Sequence, residues 1–512
     1  GAGARDDAIK NKSWHPPESD ESKEICNHYI LLFTRYFCKR KFIHSMNHGI
    51  VNSEQLQRFK QIVGEQFVFA DEETLTHYGH DETEKLLYPP EVVIKPRSAE
   101  DISAIMKICN EYRIPVTPRG AGTGLSGGAI PHLGGVLLST ERMNNILNID
   151  ERNLQVTTEP GVITEVLQNA VKEKGLFYPP DPASRGSCFI GGNIAENSGG
   201  PKAVKYGVVK DYVLNLEMVL PSGEIFWTGA NVLKNSTGYN LTQLMIGSEG
   251  TLGIVTKIVL RLIPLPKYDL LLLAPFASLE KASEAVSAIF RAGFTPSALE
   301  LMEIDALKVV SATVDTHAMP VSDDIAAHLI IEVDGNNMDV LMNEMEAIAV
   351  LLQQYDAGEV FFADDAQQKA ELWKLRRRVA EDVKIAGYTI EEDTVVPRAE
   401  LPKLIRGVKE LGRQYNFHAV CYGHAGDGNL HIRIKKEGMP NSYGNEEMQN
   451  ILRAFFQLVY ELGGTISGEH GIGLVQKNFM NIVFKETNLR LMREIKKVFD
   501  PNNILNAGKI FE

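Results

Sequence analysis

The sequence predicts an α+β protein with two or three domains. A chain of 512 residues is long enough to bury more than one hydrophobic core. Short apolar runs such as 214–220 and 254–260, the second of which is rich in β-branched residues, predict strands up to about Pro264. Beyond a plausible linker at 264–267, strand-like and helical patterns are mixed, with strands expected near 270–274 and 326–333 and helices near 279–292 and 338–354.

Two helices can be bounded from capping and periodicity. Ser98 predicts the N-cap of a helix whose apolar face carries Ile102, Ile105, Met106 and Cys109. From Glu446 onward the chain is predicted to be helical apart from one glycine-rich break. In the last helix the spacing of Leu491, Ile495 and Phe499 predicts the apolar face, and Asp500-Pro501 predicts the end.

Composition and charge exclude several classes of protein. The apolar content of 44%, the charged content of 23% and the net charge of −13 are typical of a globular protein with no nucleic-acid surface. Five cysteines without a C-x-x-C pair exclude a disulfide framework and an iron–sulfur ligand set. No apolar run reaches the roughly 18 residues of a membrane span. We therefore expect a cytoplasmic protein, with peripheral membrane contact and homodimer formation left open.

Residues 1–45 differ in pattern from the remainder of the chain. Their acidic residues, among them Asp6, Asp7 and Glu18, argue against a mitochondrial transit peptide, because such peptides are poor in acidic residues. We expect a leader or an upstream extension that is not part of the fold, followed by a domain that opens at Met46.

A glycine-rich stretch at residues 118–128, with the sequence PRGAGTGLSGG, predicts an anion-binding loop. Glycine permits positive φ, so successive N–H groups can converge on a phosphate. The stretch contains the pattern G-x-G-x-x-G, which marks a nicotinamide site only where a helix follows. The residues after it lack helical periodicity, so we expect loop and then strand, and we reject that site. The alternative is a plain glycine-rich surface loop.

Two later stretches support a nucleotide site: residues 179–184 leading into 191–200, and residues 246–255. Together with the first loop, they resemble the FAD-binding domain of the vanillyl-alcohol oxidase and para-cresol methylhydroxylase superfamily. The resemblance implies a two-lobed FAD-binding domain, with a closing segment near Asn506 and Lys509. The FAD-contacting residues that it implies are Pro118, Arg119, Gly120, Ala121, Gly122, Thr123, Gly124, Ser126, Gly127, Pro180, Asp181, Ser184, Gly192, Asn193, Asn197, Gly199, Gly200, Glu249, Gly250, Gly253, Ile254, Asn506 and Lys509.

Some members of that superfamily attach the flavin covalently through a histidine in the first loop. The loop in this chain contains no histidine. We therefore expect FAD to be bound without a covalent bond.

A second group of polar residues lies between strand-like runs near the end of the chain. A turn at 426–428 can bring His424 and His431 together across a hairpin, and Glu469 and His470 follow in a later glycine-rich segment. Two histidines and a carboxylate are the ligands of an open, catalytic zinc-type site. The alternative is that these histidines are ordinary core or surface residues.

The motifs G-H-x-G-D-G-N-x-H and G-E-H-G resemble the C-terminal domain of FAD-linked D-2-hydroxyacid dehydrogenases. The resemblance implies that His424, His431 and Glu469 bind one divalent metal, zinc first, with manganese, iron or cobalt as alternatives. It further implies that His470 is the base and Asn429 a substrate contact. It assigns the substrate carboxylate to Arg376, for which the alternative is a solvated basic helix face.

The resemblance divides the chain into an FAD-binding domain at 46–265, a substrate or cap domain at 266–455, and a C-terminal segment at 456–512 that returns to the flavin. It implies oxidation of a small D-2-hydroxy acid to the 2-oxo acid, with hydride transfer to flavin N5. An electron-transfer flavoprotein, a quinone or an iron–sulfur subunit could receive the electrons. The alternatives are a D-2-hydroxyglutarate dehydrogenase, a flavin subunit that relays electrons, and a transferase similar to alkyl-dihydroxyacetonephosphate synthase.

The strand after the helix that carries Arg376 indicates which size of substrate to expect. Hydroxyglutarate-type members of the family supply a lysine there for the second carboxylate, whereas this chain has Glu391 at the nearest matching position. An unpaired carboxylate would repel a second substrate carboxylate by about 1–4 kcal/mol at contact distance. We therefore expect D-lactate or glycolate to be favoured over dicarboxylates.

Overall fold

A computed structural model describes residues 48–83, 86–312, 319–363, 365–388, 390–438, 443 and 445–511. The predicted leader at 1–45 lies outside the described residues. Residues Gly49–Glu512 form one compact unit. Within the described ranges, none of the helices combines the length and the apolar character that a bilayer crossing requires.

The described chain mixes helices and strands, which confirms the α+β prediction. The α-helices are α1 (Ser53–Val63), α2 (Glu72–Tyr78), α3 (Ala99–Tyr112), α4 (Thr164–Lys172), α5 (Ile190–Glu196), α6 (Ala203–Tyr206), α7 (Leu241–Met245), α8 (Leu279–Arg291), α9 (Ile304–Ser311), α10 (Met338–Gln353), α11 (Ala366–Ile385), α12 (Leu401–Tyr415), α13 (Glu446–Glu461), α14 (Met480–Val483) and α15 (Glu486–Phe499). Short 3₁₀ turns connect several of them.

The strands are β1 (Val68–Phe69), β2 (Val92–Ile94), β3 (Val116–Arg119), β4 (Val136–Ser139), β5 (Ile146–Asp150), β6 (Gln155–Thr158), β7 (Leu176–Phe177), β8 (Val213–Val219), β9 (Ile225–Trp227), β10 (Ile254–Arg261), β11 (Ile263–Pro264), β12 (Tyr268–Phe276), β13 (Ala298–Glu303), β14 (Ala327–Gly335), β15 (Phe361–Ala363), β16 (Ile390–Val395), β17 (His418–Gly423) and β18 (Asn429–Lys435).

The N-terminal half contains two larger sheets and one short pair. A four-stranded sheet has the order β1-β2-β4-β3, in which β4 runs parallel to both β2 and β3. An antiparallel five-stranded sheet has the order β5-β6-β10-β8-β9, and β11 pairs with β7. Each larger sheet packs its apolar side chains into a separate core.

The C-terminal half is built on one antiparallel sheet of seven strands, in the order β15-β12-β14-β13-β17-β18-β16. One face packs on α8, α10, α12 and α13, whose buried residues share a core with the sheet. The other face packs on α9 and α11. Because the central strands are covered on both faces, β13 and β14 are almost wholly buried and their charged side chains must find partners inside the protein.

Capping explains the start of several helices. The Ser98 hydroxyl accepts the Asp101 N–H, and the predicted apolar face of α3, with Ile102 and Cys109, is buried. The same arrangement starts α8 at Ser278, where the hydroxyl accepts the Lys281 N–H.

The predicted apolar face of the last helix, α15, is wrong in part. Leu491 and Ile495 are 48% and 37% exposed, whereas Leu489 and Lys496 are buried. The Lys496 ammonium donates to the carbonyl oxygens of Thr251 (2.8 Å) and Leu505 (2.7 Å) and pairs with Asp500. These partners hold a charged residue in the interior and rotate the helix away from the face that hydrophobicity alone predicts.

Candidate active site

One cavity of about 1250 Å³ lies between the two halves of the described chain. It exceeds the roughly 300–1,000 Å³ of an ordinary small-molecule pocket, which suits a long ligand together with a second, smaller one. The glycine-rich loops line one part of it. The two histidines of the β17–β18 hairpin, together with Glu469, His470 and Arg376, line another.

The first glycine loop follows β3 and leads through irregular backbone into β4, as predicted, so the loop is not followed by a helix. Gly122 has a φ of +76°, and a Cβ there would collide with the Arg119 guanidinium. Arg119 Nη1 in turn donates to the His80 carbonyl oxygen at 2.6 Å. At Gly124 and at Gly192 of the second stretch, a Cβ would meet no atom within 4 Å, so the backbone at both positions is open to a ligand.

The third stretch connects the two halves of the cavity wall. Glu249 has a φ of +51°, and its carboxylate accepts the N–H groups of Ile472 (2.8 Å) and Gly473 (2.7 Å). These amides lie two and three residues after His470. A loop of the N-terminal half therefore holds the segment that carries His470 and Glu469.

Most of the sequence-predicted residues line the cavity: Pro118, Arg119, Gly120, Ala121, Gly122, Thr123, Gly124, Asp181, Ser184, Gly192, Asn193, Glu249, Gly250, Gly253, Ile254, Arg376, His424, His431, Glu469 and His470. The other predicted residues do not line it: Ser126, Gly127, Pro180, Asn197, Gly199, Gly200, Asn429, Asn506 and Lys509. Gly199 packs closely on a lining residue, because a Cβ there would lie 2.8 Å from Glu469 Oε2.

The closing segment supports the first loop from behind. Lys509 Nζ donates to the Gly128 carbonyl oxygen and to Asn506 Oδ1, both at 2.6 Å, and Asn506 Nδ2 donates to the Glu249 carbonyl oxygen at 2.7 Å. Burial lowers the pKa of Lys509 to about 7, although the nearby Asp81, Glu249 and Glu196 oppose that shift. The chain end thus ties together the first and third glycine stretches.

The hairpin geometry brings His424 and His431 together, as the sequence predicted. Strands β17 and β18 pair with Tyr422 opposite His431, and a 3₁₀ turn at Ala425–Asp427 joins them. Gly428 closes the turn with a φ of +86°. The two histidine rings lie 5.5 Å apart between centroids, and His470 stacks on His431 at 5.2 Å.

The spacing of three ligand atoms fits a divalent metal. Glu469 Oε1 lies 3.4 Å from His424 Nε2 and 3.5 Å from His431 Nε2. Ligands about 2.0–2.1 Å from a tetrahedral zinc lie about 3.3–3.4 Å apart, which is close to these distances. Burial lowers the pKa of His431 to about 4, which favours a neutral ring. Burial also lowers the pKa of His424, but the Glu300 and Glu469 carboxylates raise it well above its ordinary value.

A second group, formed by Glu391, His431 and His470, also brings three ligand atoms within 4.8 Å of one another. It suits a cation less well, because the Arg433 guanidinium already pairs with Glu391. A cation at this position would lie beside that positive charge.

Arg376 lies on the buried face of α11 and is 7% exposed, whereas Lys374 and Arg377 on the same helix are exposed. A solvated basic face therefore describes its neighbours but not Arg376. Its Nε donates to Glu300 Oε2 at 2.8 Å, its Nη2 lies 2.7 Å from the same oxygen in an ion pair, and its guanidinium lies over the Tyr422 ring. Within the described part of the chain, no acceptor contacts Nη1, which leaves donors for a ligand in the cavity.

Sequence reasoning missed Glu300, which lies on β13 and is fully buried. Its Oε1 lies 2.7 Å from His424 Nδ1, while Oε2 accepts the hydrogen bond from Arg376 Nε and lies in an ion pair with Nη2. Burial alone would raise the pKa of this carboxyl, but His424 and Arg376 hold it at about 2. Glu300 lies 124 residues before His424 in the chain, so no local motif could reveal the contact.

Asp393 was also missed, although it organises the segment that contains Glu469. Its Oδ2 accepts the N–H groups of Gly468 (2.9 Å), Glu469 (2.7 Å) and His470 (2.9 Å). Asn429 Nδ2 donates to Asp393 Oδ1 at 2.5 Å. The structure thus places Asn429 against Asp393, and Asn429 is not one of the residues that line the cavity.

The prediction that Glu391 is unpaired is wrong. Its carboxylate forms an ion pair with Arg433, and both residues line the cavity. Arg433 also donates from Nε to the Tyr422 hydroxyl (3.1 Å) and from Nη1 to the Tyr388 carbonyl oxygen (3.2 Å). Arg433 lies opposite Glu391 in the β16–β18 pairing, and a single-sequence reading does not give that register.

Comparisons with known proteins agree with the motifs. A family model described as "FAD linked oxidases, C-terminal domain" matches residues 265–510, and one described as "FAD binding domain" matches residues 90–229. A glycolate oxidase subunit of Bacillus subtilis is 40% identical over 438 residues, which cover 85% of this chain and 92% of that protein. A D-lactate dehydrogenase of Anaerostipes hadrus is 37% identical, covering 90% and 98%. A D-2-hydroxyglutarate dehydrogenase of Xanthomonas citri is 35% identical, covering 86% and 93%.

Solved structures confirm the predicted fold. A p-cresol methylhydroxylase with substrate bound has a TM-score of 0.73 at 18% identity and covers 90% of this chain and 98% of its own. An alkyldihydroxyacetonephosphate synthase has a TM-score of 0.71 at 17% identity, covering 90% and 85%. At this identity the likeness concerns the fold alone. The sequence relatives and the two family models show more: the chain belongs to the FAD-linked oxidase family and is an FAD-dependent oxidoreductase.

Proposed function

We propose that this protein oxidises a D-2-hydroxy acid to the corresponding 2-oxo acid. The observation that carries the proposal is that Arg376, His470 and the His424–His431–Glu469 group line the same cavity as the glycine loops. A guanidinium with open donors, a base and a metal-type ligand group are what an α-hydroxycarboxylate requires. The names of the curated relatives, which include glycolate, D-lactate and D-2-hydroxyglutarate enzymes, point to the same substrate class.

The residues divide the work according to their positions. Arg376 binds the substrate carboxylate through Nη1, while Glu300 keeps the guanidinium in place. His470 accepts the hydroxyl proton, and the Asp393 carboxylate fixes its backbone. The glycine-rich loops would hold FAD, which would supply the hydride-accepting chemistry for the substrate C2–H.

We also propose that His424, His431 and Glu469 hold one divalent metal. Zinc is the first candidate, and manganese, iron or cobalt are alternatives for the same nitrogen and oxygen ligands. When bound, the metal supplies a Lewis acid beside the substrate hydroxyl. Asn429 acts through Asp393, because its amide donates there.

Among D-2-hydroxy acids, we propose D-lactate or glycolate as the substrate. Glu391 and Arg433 form a charge-balanced pair, and the Nε, Nη1 and Nη2 groups of Arg433 each already have an acceptor. A second substrate carboxylate would have to displace one of these partners. A D-2-hydroxyglutarate dehydrogenase remains the alternative.

The electrons that reduce FAD must be passed on to an acceptor outside this chain. We propose an electron-transfer flavoprotein, a quinone or an iron–sulfur subunit as acceptor, since the sequence has no cysteine cluster for onward transfer. A transferase similar to alkyl-dihydroxyacetonephosphate synthase is disfavoured, because Glu469 completes a ligand group that the oxidation uses.

The free, buried thiols of Cys109, Cys188 and Cys421 favour a cytoplasmic location. We also propose that the FAD-binding domain ends at residue 265 and that two copies of the chain can form a homodimer.

Steady-state kinetics with an artificial acceptor dye test the proposal. D-Lactate or glycolate should show the highest kcat/KM in a panel that also contains L-lactate, D-malate and D-2-hydroxyglutarate. Arg376→Lys should lower kcat/KM by about 10- to 150-fold, which corresponds to the roughly 1.5–3 kcal/mol of a charged hydrogen bond. Arg378→Lys is the matched control, since Arg378 pairs with Asp382 on the same helix. A tenfold preference for a dicarboxylate would refute the assigned substrate, and a preference for L-lactate would refute the D configuration.

A further inference from the structure

Glu300 contacts two parts of the proposed site at once. Its Oε1 lies 2.7 Å from His424 Nδ1, and its Oε2 accepts a hydrogen bond from Arg376 Nε at 2.8 Å and forms an ion pair with Nη2 at 2.7 Å. The carboxylate is fully buried at the centre of β13. One carboxylate therefore joins a proposed metal ligand to the proposed substrate arginine.

The geometry fixes which nitrogen of His424 faces the cavity. Nδ1 faces Glu300, so in a neutral ring the Nδ1–H donates to the carboxylate and the lone pair is on Nε2. That Nε2 is the atom 3.4 Å from Glu469. Carboxylates that accept a hydrogen bond from a ligating histidine commonly set its tautomer and orientation, and losing one typically weakens metal binding 10- to 100-fold.

The same carboxylate sets the orientation of Arg376. Oε2 accepts a hydrogen bond from Nε and forms an ion pair with Nη2, and the Tyr422 ring covers the guanidinium from one side. Nη1 is the group that remains for a carboxylate in the cavity. Without Glu300, the guanidinium would lose the partner that fixes its plane and balances its charge in a buried position.

We propose that Glu300 is a positioning residue that orients His424 for the metal and Arg376 for the substrate, and so couples the two. The inference rests on the proposed function, because it takes the metal and carboxylate roles from there. It adds that a substitution of Arg376 changes metal affinity, and that a substitution of Glu300 changes both metal affinity and substrate binding.

The first test measures zinc affinity in the FAD-loaded protein after chelator treatment. Glu300→Gln should raise the zinc Kd by about 10- to 100-fold while the FAD content stays unchanged. Glu303→Gln is the matched control: Glu303 is also buried on β13 but lies on the opposite face, where it pairs with Lys409 and accepts the Cys421 N–H. The control should leave the zinc Kd unchanged.

The second test measures zinc affinity in variants of Arg376. Arg376→Lys should also raise the zinc Kd, by several-fold, although Arg376 is not one of the three proposed ligands. Arg378→Lys should not. A purely substrate-binding role for Arg376 predicts no change in zinc affinity, so this variant separates the two accounts even if Glu300→Gln does not fold.

The outcomes distinguish the inference from the function. If the wild-type protein binds no divalent metal, the proposed metal role fails. If the wild type binds zinc and both Glu300→Gln and Arg376→Lys bind it equally well, the positioning role of Glu300 is refuted while the proposed function stands. With saturating zinc, Glu300→Gln should still show a raised KM for D-lactate, because Arg376 has lost its partner.

Discussion

At the scale of single residues, Asp393 shows how one buried carboxylate can order the backbone of the segment that carries Glu469 and His470. It gathers the N–H groups of three successive residues, two of which are Glu469 and His470. In the sequence it is only the last of three consecutive acidic residues. Alternation on a strand predicts which of them share a face, but it does not predict which distant amides meet that face.

The absence of a histidine from the first glycine loop leads to a prediction about FAD. Residues 118–128 offer no imidazole for a covalent bond, so FAD should be released when the protein is precipitated with acid. The yellow chromophore should then be found in the supernatant and match free FAD by mass. Yellow colour that stays with the washed pellet would show covalent attachment and contradict this prediction.

At the scale of elements, the β17–β18 hairpin was predictable in its essentials. Two strand-like runs, the Gly426-Asp427-Gly428 turn and two histidines were visible in the sequence, and the structure joins them as expected. The helix α15 was less predictable, because the buried Lys496 displaces part of the apolar face. Hydrophobic periodicity assumes that charged residues point outward, and it fails where backbone carbonyl oxygens provide a buried partner.

Gly428, in the turn of the β17–β18 hairpin, leads to a prediction about stability and metal binding. Its φ of +86° disfavours any L side chain, and a Cβ would also collide with the Val396 carbonyl oxygen. Gly428→Ala should lower the free energy of unfolding by at least about 1–3 kcal/mol and reduce bound metal, because the turn positions His424 and His431. Urea unfolding followed by elemental analysis measures both effects.

Gly438→Ala is the matched control. Gly438 follows β18 with a φ of +73°, but a Cβ there would meet nothing within 4 Å. It should therefore show only the backbone strain and should keep its metal. If the two variants lose equal stability and equal metal, close packing at the hairpin turn does not position the histidines.

At the scale of the whole molecule, the sequence predicted the α+β class, the FAD loops and the histidine motifs, because each is local in the chain. It did not predict Glu300 or the Glu391–Arg433 pair, because these depend on the strand order of the seven-stranded sheet. It also did not predict the contacts between the halves. Examples are Glu249 with the Ile472 and Gly473 amides, and the ion pair of Lys202 with Glu332 beside Trp373.

The cavity is therefore lined by residues of both halves of the described chain. One half supplies the glycine loops, and the other supplies the arginine, the histidines and the carboxylates. We propose that electrons pass from a D-2-hydroxy acid, bound near Arg376 and the histidines, to FAD bound at the glycine-rich loops. This electron transfer can be tested without knowing the physiological electron acceptor.

The most direct measurement is the flavin absorbance of the purified protein under anaerobic conditions, after mixing with D-lactate or with L-lactate. D-Lactate or glycolate should bleach the oxidised flavin band in a single turnover and form pyruvate or glyoxylate in equal amount to the FAD. L-Lactate should bleach it far more slowly, and Arg376→Lys should slow the reaction with D-lactate. A flavin that stays oxidised with D-lactate, glycolate and D-2-hydroxyglutarate alike would contradict the account.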